Sequence, residues 1–331
     1  MGFSLVLLLE CAVSEGELMK IVITGALGHI GSKLIRELPN RFINADIVLI
    51  DNFLVQRYCS LFQLPTNGRY KFHEADIFEA DLVELFKDAD VVIHLAAITN
   101  AADSFKNADE IEKVNFQGTC RVAKACVETK SKLIFLSTTS VYGTQLDKVA
   151  EDCSLDELKP QSPYADSKLR SEKMLSELKG LEFIICRFGT IFGISDGMRF
   201  HTAINRFCWQ ATMGIPLTVW KTALNQYRPY LDLEDAVDSI CFIIKNQIFN
   251  REIYNVLTDN YMVSDIVGII REIIPRTEIN FVETQIMNQL SYFVLNDKFT
   301  NSGFQFKGNI KEQITKTIHL LKGANTSLLV N

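Results

Sequence analysis

The chain has 331 residues, 47% apolar and 22% charged, with only 17 glycines and 7 prolines, which excludes a disordered, collagen-like or low-complexity polymer. At about 150 residues per domain, that length corresponds to roughly two domains. Forty acidic against 34 basic side chains give a net charge of −6, which excludes wholesale wrapping of nucleic acid but leaves room for a local basic pocket around a phosphate.

The first 18 residues carry an apolar core, Leu5-Val6-Leu7-Leu8-Leu9, with no basic residue ahead of it and Glu10 breaking it. They read as a leader outside the fold rather than a secretory signal. Ile21–Thr24 is a β-branched run, followed by a glycine turn and a helical pattern, Ile30–Leu38, that Pro39 ends. Further strands are predicted at Asp46–Ile50, Lys71–His73, Val91–His94 and Leu133–Ser137, separated by helices such as Asp81–Phe86 and Val114–Glu128. A helix from Tyr164 to Leu178 and a strand, Phe183–Arg187, continue the alternation. After Gly193 the rhythm changes. Residues 194–229 read as an insertion holding a strand at Leu217–Trp220 and both tryptophans, Trp209 and Trp220, which are expected in the core. A helix, Leu233–Ile244, and a strand, Tyr254–Val256, return to the sheet, and the tail adds small helices and a strand at Ile279–Val282. Alternating strands and helices predict an α/β chain with a parallel sheet covered on both faces.

No apolar run reaches the roughly 18 residues of a membrane-spanning helix, so no membrane partner is expected. The eight cysteines, Cys11 to Cys241, show no C-x-x-C pair and no matching histidine spacing. They read as reduced, mostly buried thiols of a cytoplasmic enzyme, with no metal site.

Gly25-Ala-Leu-Gly28-His-Ile-Gly31 lies between a predicted strand and a predicted helix. In that context the first glycine makes the turn, the second lets a pyrophosphate approach, and the third packs helix on strand. The phosphates then rest on the helix N-terminus, where free N–H groups favour negative charge. A glycine triplet alone is equally a structural turn. Asp51 follows Gly31 by 20 residues at a strand end, where its carboxylate suits ribose hydroxyls and repels a 2′-phosphate. NAD is therefore favoured over NADP, since Asn52 and Phe53 add no basic residue; a solvated strand-end carboxylate is the alternative. Asp76-Ile77 suits an adenine edge, although such a pair is often only a loop.

Tyr164 and Lys168 stand at i and i+4 on one helix face, after Pro163 at a suitable helix start. A tyrosine has a reference pKa of about 10, so it becomes a base near neutrality only where cations stabilise its phenolate. Lys168 is one such cation and an oxidised nicotinamide a second. An isolated Tyr-x-x-x-Lys is commonly a surface pair. Here a strand ends upstream in Ser137-Thr138-Thr139-Ser140, hydroxyls placed where ligands bind in open α/β sheets.

With these residues in place the chain resembles the extended short-chain dehydrogenases/reductases, specifically the NAD-dependent epimerase/dehydratase group acting on nucleotide sugars. The likeness runs from Met19 onward through Thr24-Gly25 to Gly31, Asp51, Asp76-Ile77, His94-Leu95-Ala96-Ala97, Asn115, Thr138 ahead of Tyr142-Gly143, Tyr164/Lys168, and Arg187 to Gly193. The resemblance implies a Rossmann-like doubly wound sheet over residues 19–193, completed by about 230–258, and a smaller substrate-binding lobe from 194–229 and 259–331. It implies Tyr164 as base, Thr138 as the catalytic hydroxyl, and Lys168 as activator and ribose ligand. It also implies NAD contacts from Gly25, Gly28, His29, Ile30, Gly31, Asp51, Asn52, Asp76, Ile77, Leu95, Ala96, Ala97 and Asn115, besides Tyr164 and Lys168. Implied substrate contacts are Thr99, Thr139, Ser140, Thr190, Asn205 and Arg228, the last being an arginine suited to a diphosphate, with a surface salt bridge as its alternative. A homodimer is the family habit.

Family 4,6-dehydratases carry an Asp-Glu pair where this chain has Thr139-Ser140, decarboxylating relatives carry Glu at Ser140, and Thr190 replaces a more usual Asn. A reaction needing an extra acid or base is thus disfavoured. The expectation is a redox-neutral epimerase of a nucleotide sugar. A net reductase or dehydrogenase is the alternative, ahead of a 4,6-dehydratase or a non-catalytic NAD-binding protein. His201 could touch ligand, while His29 and His94 need no acid–base role.

Overall fold

The structure, a computed structural model, describes residues 18–100, 104–143, 148–283 and 292–325. The expected leader lies outside the described residues but for Leu18. In chain order the first half forms β1 (Lys20–Thr24), α1 (His29–Arg41), β2 (Asp46–Asp51), β3 (Arg69–Glu74), α2 (Leu82–Phe86), β4 (Val91–His94), α3 (Ala108–Ile111), α4 (Gly118–Thr129), β5 (Lys132–Thr138) and α5 (Pro163–Glu177). With Phe183–Phe188 and Ile253–Val256, the strands build a seven-stranded sheet. Its order is Ile253–Val256, Phe183–Phe188, β5, β4, β1, β2, β3, every pair parallel.

Strands buried on both faces read as continuous apolar runs, and Ile21, Val22 and Ile23 are fully buried. Ile21 and Ile23 enter one core with α1 and Leu233–Lys245, and Val22 enters another with α2 and α4. The sheet is therefore Rossmann-like and doubly wound. From β1 the chain runs outward through β2 and β3, then crosses to β4 on the other side of β1. That reversal opens a crevice beyond the carboxyl ends of β1 and β4, where Thr24 and His94 are register partners.

Pro39 does not end α1, as expected, but sits inside its last turn. The carbonyl it cannot serve, Ile35 O, accepts the Tyr70 hydroxyl at 2.7 Å instead. At the other end, Gly28 caps α1 with no side-chain hydrogen bond and no acidic residue follows in the first turn. The orphan N–H groups of that turn have no carboxylate or hydroxyl from their own cap.

The second lobe draws on two separated stretches. Leu217–Trp220 pairs in parallel with Ile279–Val282, and the helices Ala203–Thr212, Val263–Ile273 and Ile310–Leu321 share one core. A three-stranded sheet, Asp259–Met262, Tyr227–Asp232 and Thr190–Phe192, bridges it to the large sheet; none of these three strands was expected. Pro229 and the polar Tyr227-Arg228 obscure the middle strand's alternation, so only its tertiary pairing reveals it.

Residues 193–199 lie as a strap across the start of α1. Ser195 Oγ donates to His29 O at 2.9 Å, Gly197 N donates to Ser32 Oγ at 2.8 Å, and Asp196 pairs with Arg36 at 2.9 Å. A Cβ at Gly197 would meet Leu27 O at 2.5 Å, so only glycine permits this approach. Gly31 is equally constrained, because a Cβ there would collide with Ala26 O of the glycine turn that precedes α1. Gly31→Ala is expected to cost about 1–3 kcal/mol by overpacking, read as a lower urea midpoint at unchanged m-value.

Candidate active site

The crevice begins at the glycine turn. Gly25 has φ +68°, and a Cβ there would stand 2.6 Å from Ala96 N, so the turn presses backbone against backbone. Asp51 is pinned by two amides, Leu27 N and Phe53 N, each at 3.0 Å. Asn52 donates to Asp76 at 2.8 Å, and the other Asp76 oxygen takes Phe78 N at 2.8 Å. Ile77, Ala96 and Ala97 line the same side of the crevice with these residues. Arg57 joins them; burial lowers its pKa and the Asp51 charge opposes that shift.

On the other side, α5 is started by Ser162, which accepts Ala165 N at 3.2 Å, with Pro163 in the first turn. This start aligns Tyr164, Lys168 and Glu172 on one face at four-residue steps. Lys168 is buried, donates to Leu136 O at 2.8 Å and lies 4.7 Å over the Phe135 ring. Burial brings it down to about 8, and Glu172 opposes the shift. Glu172 is held in turn by Arg187 at 2.7 Å and by the Ser137 hydroxyl, both ions being nearly inaccessible, at 3% and 2% exposure. Burial pushes the Tyr164 phenol up to about 12; the Arg199 charge and a hydrogen bond with Thr138 pull against it. Thr138 also accepts Ser140 N and donates to Ser140 Oγ, both at 3.2 Å.

The deeper part of the crevice is cationic. Lys168, Arg199, Arg206 and Arg228 line it, and no Asp or Glu does among the described residues. Arg199 Nε, Arg206 Nε, and Arg228 Nε and Nη2 are buried donors without a hydrogen-bond partner among the described residues. Leaving a charged donor unpaired costs stability, so these atoms are suited to an anionic ligand. Arg228 stands 5.7 Å over the Trp220 ring, and Ser140, Thr190 and His201 complete the wall.

Residues 21–256 match the NAD dependent epimerase/dehydratase family. The chain belongs to that family. It is an NAD-dependent enzyme of the extended short-chain dehydrogenase/reductase type. A Bacillus subtilis (strain 168) relative described as an uncharacterized UDP-glucose epimerase, YtcB, is 33% identical over 238 residues, covering 68% of this chain and 72% of its own. The Arabidopsis thaliana trifunctional UDP-glucose 4,6-dehydratase/UDP-4-keto-6-deoxy-D-glucose 3,5-epimerase/UDP-4-keto-L-rhamnose-reductase is 29% identical over 90% of this chain, which spans 46% of that longer protein. The Bacillus cereus UDP-glucuronic acid 4-epimerase, solved with UDP-glucuronic acid and NAD, superposes with a TM-score of 0.84 at 26% identity, over 92% of this chain and 100% of that one.

The crevice of this epimerase/dehydratase relative fits NAD on its own geometry. The start of α1 has no side-chain cap, the glycine turn leaves no Cβ in the way, and the pinned Asp51 lines the crevice at the end of β2, where its carboxylate suits ribose hydroxyls. Gly25, Gly28, His29, Ile30, Gly31 and Leu95 border the crevice together with Tyr164, Lys168 and Thr99.

Three expected contacts are placed elsewhere. Thr139 is buried and its hydroxyl donates to Phe188 O at 3.3 Å, away from the substrate side. Asn205 is fully buried, accepting Gly193 N at 3.2 Å and donating to Arg199 O at 2.9 Å, so it shapes the strap instead of touching a sugar. Asn115, in a π-helical turn over Glu112–Gln117, grips both backbone groups of Ile98 at 2.8 and 2.9 Å. It fixes the loop after β4 rather than reaching the crevice itself. Trp220 is half-buried, packing against the second lobe's core as expected while also bordering the crevice; Trp209 is 37% exposed and is not the core residue expected. His29 and His94 are buried and held near 3 by desolvation, neutral and spent on Gly193 O, Thr24 and Thr119. Of the seven described cysteines, four are buried and Cys59 is exposed; no metal cluster and no membrane-length apolar helix occurs among the described residues.

Sequence reasoning missed Arg57, Arg199 and Arg206. Arg57 lies six residues past Asp51 and folds back to it, and Arg199 owes its place to the strap. The signal that could have found Arg199 is Gly193 and Gly197 bracketing a short segment just before it.

Proposed function

We propose that the chain is a redox-neutral nucleotide-sugar epimerase. The observation that carries this reading is the deeper part of the crevice, lined by Tyr164, Thr138 and four cations and by no carboxylic acid among the described residues; Asp51 and Asp76 line only the other part. Elimination or decarboxylation needs an extra acid or base beside the sugar; oxidation followed by re-reduction needs only the tyrosine couple. NAD, when bound, supplies the acceptor and donor of hydride.

In this reading Tyr164 takes the proton of a sugar hydroxyl and later returns it, and Thr138 orients that oxygen through its own hydroxyl. Lys168 fixes the floor of the site by its bond to Leu136 O and presents its charge to the cofactor ribose. Arg228 and Arg206 neutralise the substrate diphosphate with their unpartnered donors, and Trp220 walls the nucleotide. Ser140 and Thr190 face the sugar with neutral hydroxyls. Holding the diphosphate while leaving the ring lightly held allows the sugar to present either face. The family habit adds a homodimer to the proposal.

The test is to incubate the purified enzyme with UDP-, GDP-, CDP- and dTDP-sugars, beginning with UDP-glucose and UDP-glucuronic acid, and to follow the products by NMR. An inverted stereocentre without added NADH supports the proposal; a product formed only in step with NADH consumption or release replaces it by a net oxidoreductase. Arg228→Met is expected to raise KM for the active sugar nucleotide about 10- to 100-fold, as for loss of a charge-assisted hydrogen bond. Its bound NAD should match wild type in the same preparation.

A further inference from the structure

We propose that Arg199 is a cofactor clamp: carried by the substrate lobe, its guanidinium closes over the NAD pyrophosphate from the side opposite the α1 N-terminus. The inference rests on NAD as cofactor and deepens the epimerase reading, because a redox-neutral enzyme gains from keeping its cofactor through successive turnovers.

Four observations converge on it. The strap is fastened to the first turns of α1 by Ser195, Asp196 and Gly197, so the residue that follows it is delivered to the glycine turn. Arg199 Nη2 comes to 3.7 Å from where a Gly28 Cβ would stand, directly over the uncapped helix start. One end of the guanidinium is held by the Thr99 hydroxyl while Nε is buried with no partner among the described residues. Finally, Arg199 borders both parts of the crevice, the part beside Asp51 and the part beside Tyr164. A dinucleotide with its adenosine at Asp51 and its reacting ring at Tyr164 must pass its pyrophosphate between the two.

Charge supports the same placement. Arg57, Tyr164, Asp51 and the neutral His29 lie within electrostatic reach of the Arg199 guanidinium, and burial together with Arg57 brings it down to about 10. A dianion between Arg199 and the α1 amides restores the hydrogen bonds that burial removes, and it screens one arginine from the other. Release of NAD then requires the strap to lift from α1, which makes retention a property of the contact between lobes.

The experiment compares full-length wild type with Arg199→Met, Arg199→Lys and Gly197→Ala. NAD content is measured after size-exclusion chromatography, and NAD affinity by titration of protein freed of cofactor. Arg199→Met should bind NAD at least about tenfold more weakly, as for loss of a charge-assisted contact, and Arg199→Lys should fall between it and wild type. The KM of Arg199→Met for the sugar nucleotide at saturating NAD should be unchanged, and its cofactor-free thermal midpoint should not drop, since a buried cation whose Nε has no partner among the described residues is removed. Gly197→Ala, which forces the strap off Leu27 O while keeping Arg199, should also shed NAD. Wild-type NAD affinity in both Arg199→Met and Gly197→Ala overturns the clamp. So does a raised sugar-nucleotide KM with NAD retained, which assigns Arg199 to the substrate. If NAD binds and is lost as stated but no epimerised sugar is found, the clamp stands and the epimerase reading falls.

Discussion

Tyr164→Phe is expected to lower turnover at least ~100-fold, the lower bound for removing a positioned general base, while leaving NAD bound. The ring keeps its place in the first turn of α5, so only the oxygen shared with Thr138 is lost. In the ligand-free protein that phenol is pushed up to about 12 by burial, with Arg199 and Thr138 pulling it back. The base is the deprotonated form. The rate of wild type should therefore rise with pH on the acid side of the profile, and this ascending limb should vanish in Tyr164→Phe. Initial rates by NMR or a coupled assay, with released NAD measured on the same samples, check both points. Near wild-type turnover would remove Tyr164 from the mechanism.

The second large effect is on stability. Glu172→Gln should destabilise the protein by about 3–5 kcal/mol, the cost of leaving a buried charge without its partner. Here the stranded ion is Arg187, 2% exposed and bonded to Glu172 through both Nε and Nη2. The same change removes the carboxylate whose field keeps Lys168 protonated, so activity should fall by more than the unfolded fraction explains. Urea denaturation gives the first quantity and specific activity per folded enzyme the second. Glu172→Gln with Arg187→Met should recover part of the lost stability, because the stranded charge is then gone. A single-variant cost within about 0.5 kcal/mol, the range of ordinary surface changes, contradicts the argument.

The nucleotide lobe was legible from the chain because each of its elements announces itself locally. β1 and β4 are short runs of buried β-branched residues, and α5 opens at Pro163, which the structure places in the helix's first turn behind a Ser162 cap. Glycines at turn and helix start carry steric meaning that does not depend on what lies far away. The second lobe was less legible, since Tyr227–Asp232 becomes a strand through Thr190–Phe192 and Asp259–Met262 on either side of it. For the site, residue type and motif position brought Tyr164, Lys168 and Asp51 to the crevice. They could not say which way Thr139 turns, or that Asn205 and Asn115 spend their amides on backbone. Arg199 was invisible for the converse reason: its surroundings are made by Leu27, Ser32 and Thr99, more than 90 positions away in sequence. The α1 boundary failed at Pro39 because a distant hydroxyl, Tyr70, serves the carbonyl that the proline cannot.

The concentration of Lys168, Arg199, Arg206 and Arg228 in one cleft of a chain with a net charge of −6 has an electrical consequence. At low ionic strength the net negative charge repels nucleotides over several nanometres; at physiological ionic strength, with a Debye length of about 8 Å, that repulsion is screened and the cleft attracts anions that come close to its mouth. Added electrolyte thus acts in opposite directions on approach and on residence: it weakens the outer barrier while competing for the inner ion exchanger. Multivalent anions of similar span, such as inorganic pyrophosphate, suit such a cavity by charge alone.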